Sequence, residues 1–173
     1  MQKLKSIFLD RDGVINFDKG YVHKKEDFEF IPEIFDLLKY FKDREFTLFI
    51  ITNQSGIGRG YYSLGDFNKL NTWMLSELEK FDIHIERVEF CPHKPTDECI
   101  CRKPKTGMLD QIMKDYDIDL DNSWMIGDKE SDINFAKNGK IKKTICVDIS
   151  NKVMTKTKPD FIVTSLGDIK NII

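Results

Sequence analysis

The sequence predicts an α/β domain with a mainly parallel sheet and helices on both faces. Short apolar runs of strand character alternate along the chain with longer stretches whose apolar residues recur at helical spacing. Polar clusters also follow directly on the predicted strands, beginning at Asp10, Thr52, Cys91 and Asp128. Ligands bind outside the carboxyl ends of the strands in such sheets, so this is where a site belongs.

The first strand is the run Ile7-Phe8-Leu9, which delivers Asp10 and Asp12 to a break at Gly13. Residues at i and i+2 of a strand share a face, so the two carboxylates address one volume. The segment 16–30, with Gly20-Tyr21-Val22-His23 near its middle, has no period and reads as a loop. Pro32 occupies a helix N1 position, and Ile34, Leu37, Leu38 and Phe41 continue that helix. The nearly continuous apolar run 46–51 is a strand buried on both faces, ending in Thr52-Asn53-Gln54-Ser55-Gly56.

The stretch 57–62 places Arg59 among glycines but fits neither nucleotide motif: a dinucleotide fingerprint begun at Gly56 ends on Tyr61, and no Gly-Lys-Ser/Thr follows. It is expected to be a flexible loop. Leu64, Phe67, Leu70, Met74, Leu78 and Phe81 line a long helix, with Trp73 bordering the stripe as a core residue. A strand over 85–90 runs into the cysteine cluster, and Met108, Leu109, Ile112, Met113 and Tyr116 mark the next helix. The aspartates at 115, 117, 119 and 121 do not make a calcium loop, because Leu120 and Ile126 stand where Gly and Glu are required. A strand over 123–126 breaks at Gly127-Asp128-Lys129, and a helix through Ile133 and Ala136 stops at Gly139 as a C′ glycine. Strands over 144–149 and 160–163 and a terminal helix over 166–173 complete a Rossmann-like alternation; Cys146 is a small core residue.

The chain of 173 residues suits one domain spanning 1–173, and its 32% charged residues nearly cancel to a net charge of −2. No basic excess points to nucleic acid, and no signal h-region or long apolar run points to a membrane. The expectation is a cytoplasmic monomer. Four cysteines in such a chain favour metal binding or free thiols over disulfides.

Carboxylates at 10, 12, 128 and 132 gathered on one edge repel one another unless a hard cation intervenes. Magnesium is held by one or two carboxylates with waters and phosphate oxygens. A lysine and a hydroxyl facing it suit a phosphoryl group, whose transfer depends on positioning and charge neutralisation. Separately, Cys91, His93, Cys99 and Cys101 fall within eleven residues and match a closed Cys₃His zinc site, with Pro92 and Pro95 stiffening the loop over 91–101. A redox pair at Cys99/Cys101 or plain surface thiols are the alternatives. As a zinc loop its role is structural: it pins a polar segment and aims Arg102 and Lys103 at the site.

In order, Asp10-x-Asp12-Gly13, Thr52, Lys103-Pro104 and Gly127-Asp128-x-x-x-Asp132 resemble the four signature motifs of the haloacid dehalogenase (HAD) superfamily of phosphatases. The resemblance implies Asp10 as nucleophile, Asp12 as general acid and base, and Thr52 and Lys103 as holders of the phosphoryl group. It implies Mg2+ on Asp10, the carbonyl of Asp12 and Asp128, with Asp132 behind them. Gly20 to His23, the 52–56 segment, Arg59-Gly60, the Cys/His cluster running into Arg102-Lys103, and Gly127-Asp128-Lys129 narrow the resemblance to heptose-bisphosphate phosphatases. These supply heptose for bacterial surface glycans such as lipopolysaccharide. The related histidinol-phosphate phosphatases share much of this, and a zinc-stabilised binding domain without catalysis is the reading from another class.

The implied partner is a small sugar bisphosphate, contacted by Gly20, Tyr21, His23, Asn53, Gln54, Ser55, Arg59, Arg102 and Lys129. Arg102 could read a substrate phosphate bidentately or serve as a salt-bridge partner, and His23 could touch substrate or cap backbone. Lys129 is expected on Asp10 or another site carboxylate. The loop between His93 and Cys99 holds only five residues, shorter than is common in that family. About forty residues separate Asp10 from Thr52, too few for a large cap domain.

Overall fold

A computed structural model of the chain describes residues 3–150 and 156–173; Met1 and Gln2, the lead-in to the first strand, lie outside the described residues. Among the described residues, six strands form one sheet: β1 (Ser6–Leu9), β2 (Thr47–Asn53), β3 (Arg87–Cys91), β4 (Trp124–Gly127), β5 (Lys143–Val147) and β6 (Phe161–Val163). Their order is β3-β2-β1-β4-β5-β6, and every pairing is parallel. Parallel neighbours need crossovers, and five helices supply most of them: α1 (Ile34–Asp43), α2 (Ser55–Gly58), α3 (Leu64–Glu79), α4 (Gly107–Asp115) and α5 (Glu130–Asn138).

Strand periodicity splits the core into two layers. Ile7 and Leu9 of β1 face one way, joining Leu48 and Ile50 of β2 against α1 and α3. Phe8 faces the other, stacking on Phe49 at 5.4 Å between centroids and packing with Met108, Leu109 and Ile112 of α4 and Phe135 and Ala136 of α5. Each such fully buried apolar side chain contributes about 1.5–3 kcal/mol. Helices therefore cover both faces, as the apolar runs require. No helix among the described residues is long and apolar enough to cross a membrane.

Several local expectations shift. Pro32 precedes the N-cap of α1, which is Glu33 at φ 73°, so the proline sits outside the helix rather than at N1. Gly139 is the C-cap of α5 at φ −83°, and Lys140 takes the left-handed turn at φ 59°. Gly139 is needed for space instead: a Cβ there would lie 2.5 Å from Leu109 Cδ2. The expected flexible loop at 57–62 is compact, opening with α2 and tied down by Gly58 N donating to Pro92 O at 2.8 Å. The terminal helix is a 3₁₀ segment, Leu166–Asn171, while Leu64, Phe81 and Met113 at the ends of the helical stripes are exposed.

The order reverses between β1 and β4, the neighbours either side of the switch point, so a crevice opens beyond their carboxyl ends. Asp10 leaves β1 there, its N–H donating to Ile126 O of β4 at 3.0 Å.

Candidate active site

A cavity of about 280 Å³ opens at this edge, lined by residues that follow β1, β2, β3 and β4. Its floor is an ion-pair chain. Lys103 is 3% exposed, and its ammonium lies 3.0 Å from Asp10 Oδ1, 2.6 Å from Asp132 Oδ1 and 2.7 Å from Ile51 O. A buried ammonium needs such partners, and these three satisfy its three donors. Burial works against the charge, but the two carboxylates outweigh it and hold Lys103 above its ordinary pKa.

The carboxylates divide into held and unsatisfied groups. The second oxygen of Asp132 accepts the N–H groups of Asp128 and Lys129, at 3.1 and 3.0 Å, closing the first turn of α5. Asp132 is therefore spoken for. Asp128 is different: its Oδ1 is buried with no hydrogen-bond partner. Burial first, then the neighbouring Asp10 charge, push its pKa up to about 9, and burial with Asp132 nearby raises Asp10 as well. Ligand oxygens of Asp10, Asp128 and Asp132 lie within 4.8 Å of one another. Two crowded carboxylates with an orphaned oxygen suit a hard divalent cation, which Asp10 and Asp128 could hold. Gly13 makes room for this, since a Cβ there would lie 2.2 Å from Asp128 Oδ2 and its φ of +94° suits glycine alone.

Asp12 sits across the cavity in a cage of donors. Arg11, only 1% exposed, grips it through Nε at 3.1 Å and Nη2 at 3.0 Å, while Nη2 also donates to Val22 O. Asn16 Nδ2 adds a bond at 3.0 Å and Gln54 Nε2 another at 3.1 Å.

The remaining expected residues fall into place unevenly. Gly20, Tyr21, Gln54, Ser55, Arg102 and Lys129 line the cavity, and Arg102 Nη1 is buried without a protein partner. Asn53 lines it too, but its amide is committed to the backbone of Lys103, donating to the carbonyl at 3.2 Å and accepting from the N–H at 3.0 Å. The Thr52 hydroxyl lies beneath the lining and accepts from Gln54 Nε2 at 2.8 Å. His23 and Arg59 are not brought to this cavity: the imidazole stacks on Tyr62 and meets Tyr21 O through Nδ1, and Arg59 is exposed. Lys129 pairs with Asp18, a cavity-lining carboxylate, at 2.8 Å and lies 4.0 Å from Asp128 Oδ2, so it meets site carboxylates other than Asp10. Asp18, Tyr62 and Ser131 line the cavity without having been expected there.

At the end of β3, the donor atoms of Cys91, His93, Cys99 and Cys101 also gather within 4.8 Å. Cys91 Sγ is 3.6 Å from Cys99 Sγ and 3.0 Å from Cys101 Sγ, and His93 Nδ1 is 3.2 Å from Cys101 Sγ. All four cysteines are free. A zinc tetrahedron with bonds of about 2.3 Å has S···S edges of about 3.8 Å, so three sulfurs and one imidazole nitrogen converging here have the chemistry and nearly the dimensions of a closed Cys₃His site. The loop leans on the cavity wall: Gln54 N donates to Cys91 O at 2.7 Å.

A parallel sheet whose switch point carries paired carboxylates and a buried lysine has the architecture of the HAD-like hydrolases, and a HAD-hydrolase-like family model matches residues 100–169. The D-glycero-alpha-D-manno-heptose-1,7-bisphosphate 7-phosphatase of Campylobacter jejuni is 51% identical over 150 residues, covering 87% of this chain and 86% of the relative. The D-glycero-beta-D-manno-heptose-1,7-bisphosphate 7-phosphatase of Helicobacter pylori strain 26695 is 47% identical over 156 residues, covering 90% of each. A crystal structure of D,D-heptose 1,7-bisphosphate phosphatase from B. bronchiseptica, complexed with magnesium and phosphate, superposes with a TM-score of 0.85 at 26% identity, over 98% of this chain and 97% of that one. The chain belongs to the D-glycero-D-manno-heptose-1,7-bisphosphate 7-phosphatase family.

Proposed function

We propose that the chain acts as one phosphatase domain, hydrolysing the 7-phosphate of D-glycero-D-manno-heptose 1,7-bisphosphate and leaving the 1-phosphate for later steps toward surface glycans. One observation carries the reading: Asp10 lies buried between an ammonium and an orphaned carboxylate oxygen, and Asp12 faces the same cavity. Asp10 attacks phosphorus and the ester P–O bond breaks as Asp12 passes its proton to the leaving sugar oxygen. Asp12, now a carboxylate, takes a proton from water; the water oxygen attacks the aspartyl-phosphate, releasing phosphate and restoring Asp10. Lys103 steadies the transferring phosphoryl group and keeps Asp10 aimed. Thr52 supports Gln54 from beneath, while Arg102, Lys129, Tyr21, Gly20 and Ser55 offer contacts to the rest of the sugar bisphosphate. Magnesium, held by Asp10, Asp128 and the Asp12 carbonyl, would supply positive charge to the phosphoryl oxygens.

Phosphate release with Mg2+ from both anomers of heptose 1,7-bisphosphate, beside histidinol phosphate, tests the reading. Preference for the heptose supports it; preference for histidinol phosphate overturns the substrate and keeps the chemistry; no release from any of them overturns it. All groups used belong to one chain, so the monomer is the proposed active unit. The free thiols suit a reducing compartment such as the cytoplasm.

We also assign Zn2+ to Cys91, His93, Cys99 and Cys101, in a structural role. Cys101 leads directly into Arg102 and Lys103, and Asn53 locks Lys103 to the end of β2. Elemental analysis is expected to find one zinc per chain. Cys101→Ser should lose it, lower Tm by about 5 °C or more, and reduce turnover through displaced Arg102 and Lys103. A zinc-free wild type of equal stability and activity would overturn the assignment.

A further inference from the structure

Tyr62, in the cavity wall, is 6% exposed and its hydroxyl lies 2.5 Å from Gln54 Oε1. The chemistry of the neighbours fixes which way that amide points. Asp12 Oδ2 already accepts from Arg11 Nε at 3.1 Å, so the NH₂ of Gln54 faces that oxygen, and the same nitrogen serves the Thr52 hydroxyl. The amide oxygen is left facing Tyr62, whose hydroxyl must then donate. Burial pushes the Tyr62 phenol up to about 12, so it keeps its proton throughout the neutral range.

The position of the ring is built rather than incidental. The His23 imidazole stacks on it at 4.8 Å between centroids and 6° between planes. On another side lies Gly56, where a Cβ would sit 2.1 Å from Tyr62 Cε1, so only glycine lets α2 pass this close to the ring. Both residues therefore have a reason to be where they are, although neither lines the cavity.

We propose that Tyr62 is a positioning residue for the acid–base step: its hydroxyl fixes the Gln54 amide, and that amide holds Asp12 in line with the leaving oxygen. The inference rests on the assignment of Asp12 above. Without the hydroxyl, Gln54 Oε1 is a buried acceptor with no donor, and the amide is free to turn its oxygen toward Asp12. Two acceptors then face one another and the carboxyl moves off line. Displacements of about 1 Å in such groups cost about 10²-fold in rate.

Tyr62→Phe tests this with two esters. An alkoxide leaves poorly unless it is protonated, whereas p-nitrophenolate leaves unaided, and kcat/KM reports the steps through departure of the leaving group. For heptose bisphosphate, Tyr62→Phe is expected to lower kcat/KM by about tenfold or more, through kcat with KM unchanged. For p-nitrophenyl phosphate it should stay within about twofold. In a Gln54→Leu background, Tyr62→Phe should have no further effect, because the two act in series. Equal falls on both esters, an unchanged heptose rate, or additive losses with Gln54→Leu would overturn the proposal while leaving the phosphatase reading intact. A wild type silent on both esters would sink that reading and this one together.

Discussion

Asp10→Asn is expected to lower phosphate release from heptose bisphosphate by at least about 10⁴-fold, with the fold retained. An asparagine oxygen can still accept from the Arg11 N–H and from Lys103, which meet Asp10 Oδ1 at 2.9 and 3.0 Å. The other position becomes an NH₂, a donor beside Asp128. The substitution therefore removes one of two mutually repelling buried carboxylates without opening a void, and Tm should stay within a few degrees of the wild type. What it removes is the proposed nucleophile, and an amide cannot form the phosphoryl-enzyme that the proposal requires. Turnover within tenfold of the wild type, with deamidation of the variant excluded by mass spectrometry, would move the nucleophile elsewhere in the cavity.

Contact to the cofactor should change in parallel. Burial raises both Asp10 and Asp128, with the Asp132 charge adding to the first and the Asp10 charge to the second, so binding of a divalent cation is expected to release protons. With asparagine at position 10, only one crowded carboxylate remains, and magnesium affinity is expected to fall together with the turnover.

The parts of this site that were legible in sequence are those where a strand ends in a chemical group. Ile7-Phe8-Leu9 alternates between two core layers, so the position of Asp10 beyond it follows from the strand alone. The same logic places Thr52, Cys91 and Asp128, and parallel register then brings them to one edge. The pairings that finish the site were not legible, because each joins segments with no common period. Arg11 is buried by Asp12, the Val22 carbonyl and the rings of Phe28 and Phe67, which lie 6.0 and 5.9 Å away. A charged residue between two aspartates carries no mark of such burial. Lys129 reaches Asp18, from a loop without periodicity. Tyr62 reads as the end of a glycine-rich loop until Gly56 is seen to be making space for its ring.

Lys103→Met should damage both stability and catalysis, and the pH dependence separates the causes. Methionine fills the space of the lysine stem but leaves Asp10 and Asp132 buried around no cation, a loss of about 3–5 kcal/mol for one partner of a buried ionic cluster. The Lys103 charge and hydrogen bond are among the effects that lower Asp10, working against burial and Asp132. Removing them raises Asp10 further. A carboxyl raised in the folded state binds its proton more tightly there than in the unfolded chain. Its contribution to stability is present at acid pH and is lost as pH rises from the unfolded value of 3.8 through the raised folded one. In magnesium-free buffer, the Tm deficit of Lys103→Met relative to wild type should therefore be small near pH 4.5 and widen toward pH 8. Activity with magnesium should fall at least about 10³-fold, since the phosphoryl group loses a cation in a water-poor site. A deficit that stays constant across this range would mean that the lysine acts through packing, and that the carboxylates find their compensation elsewhere.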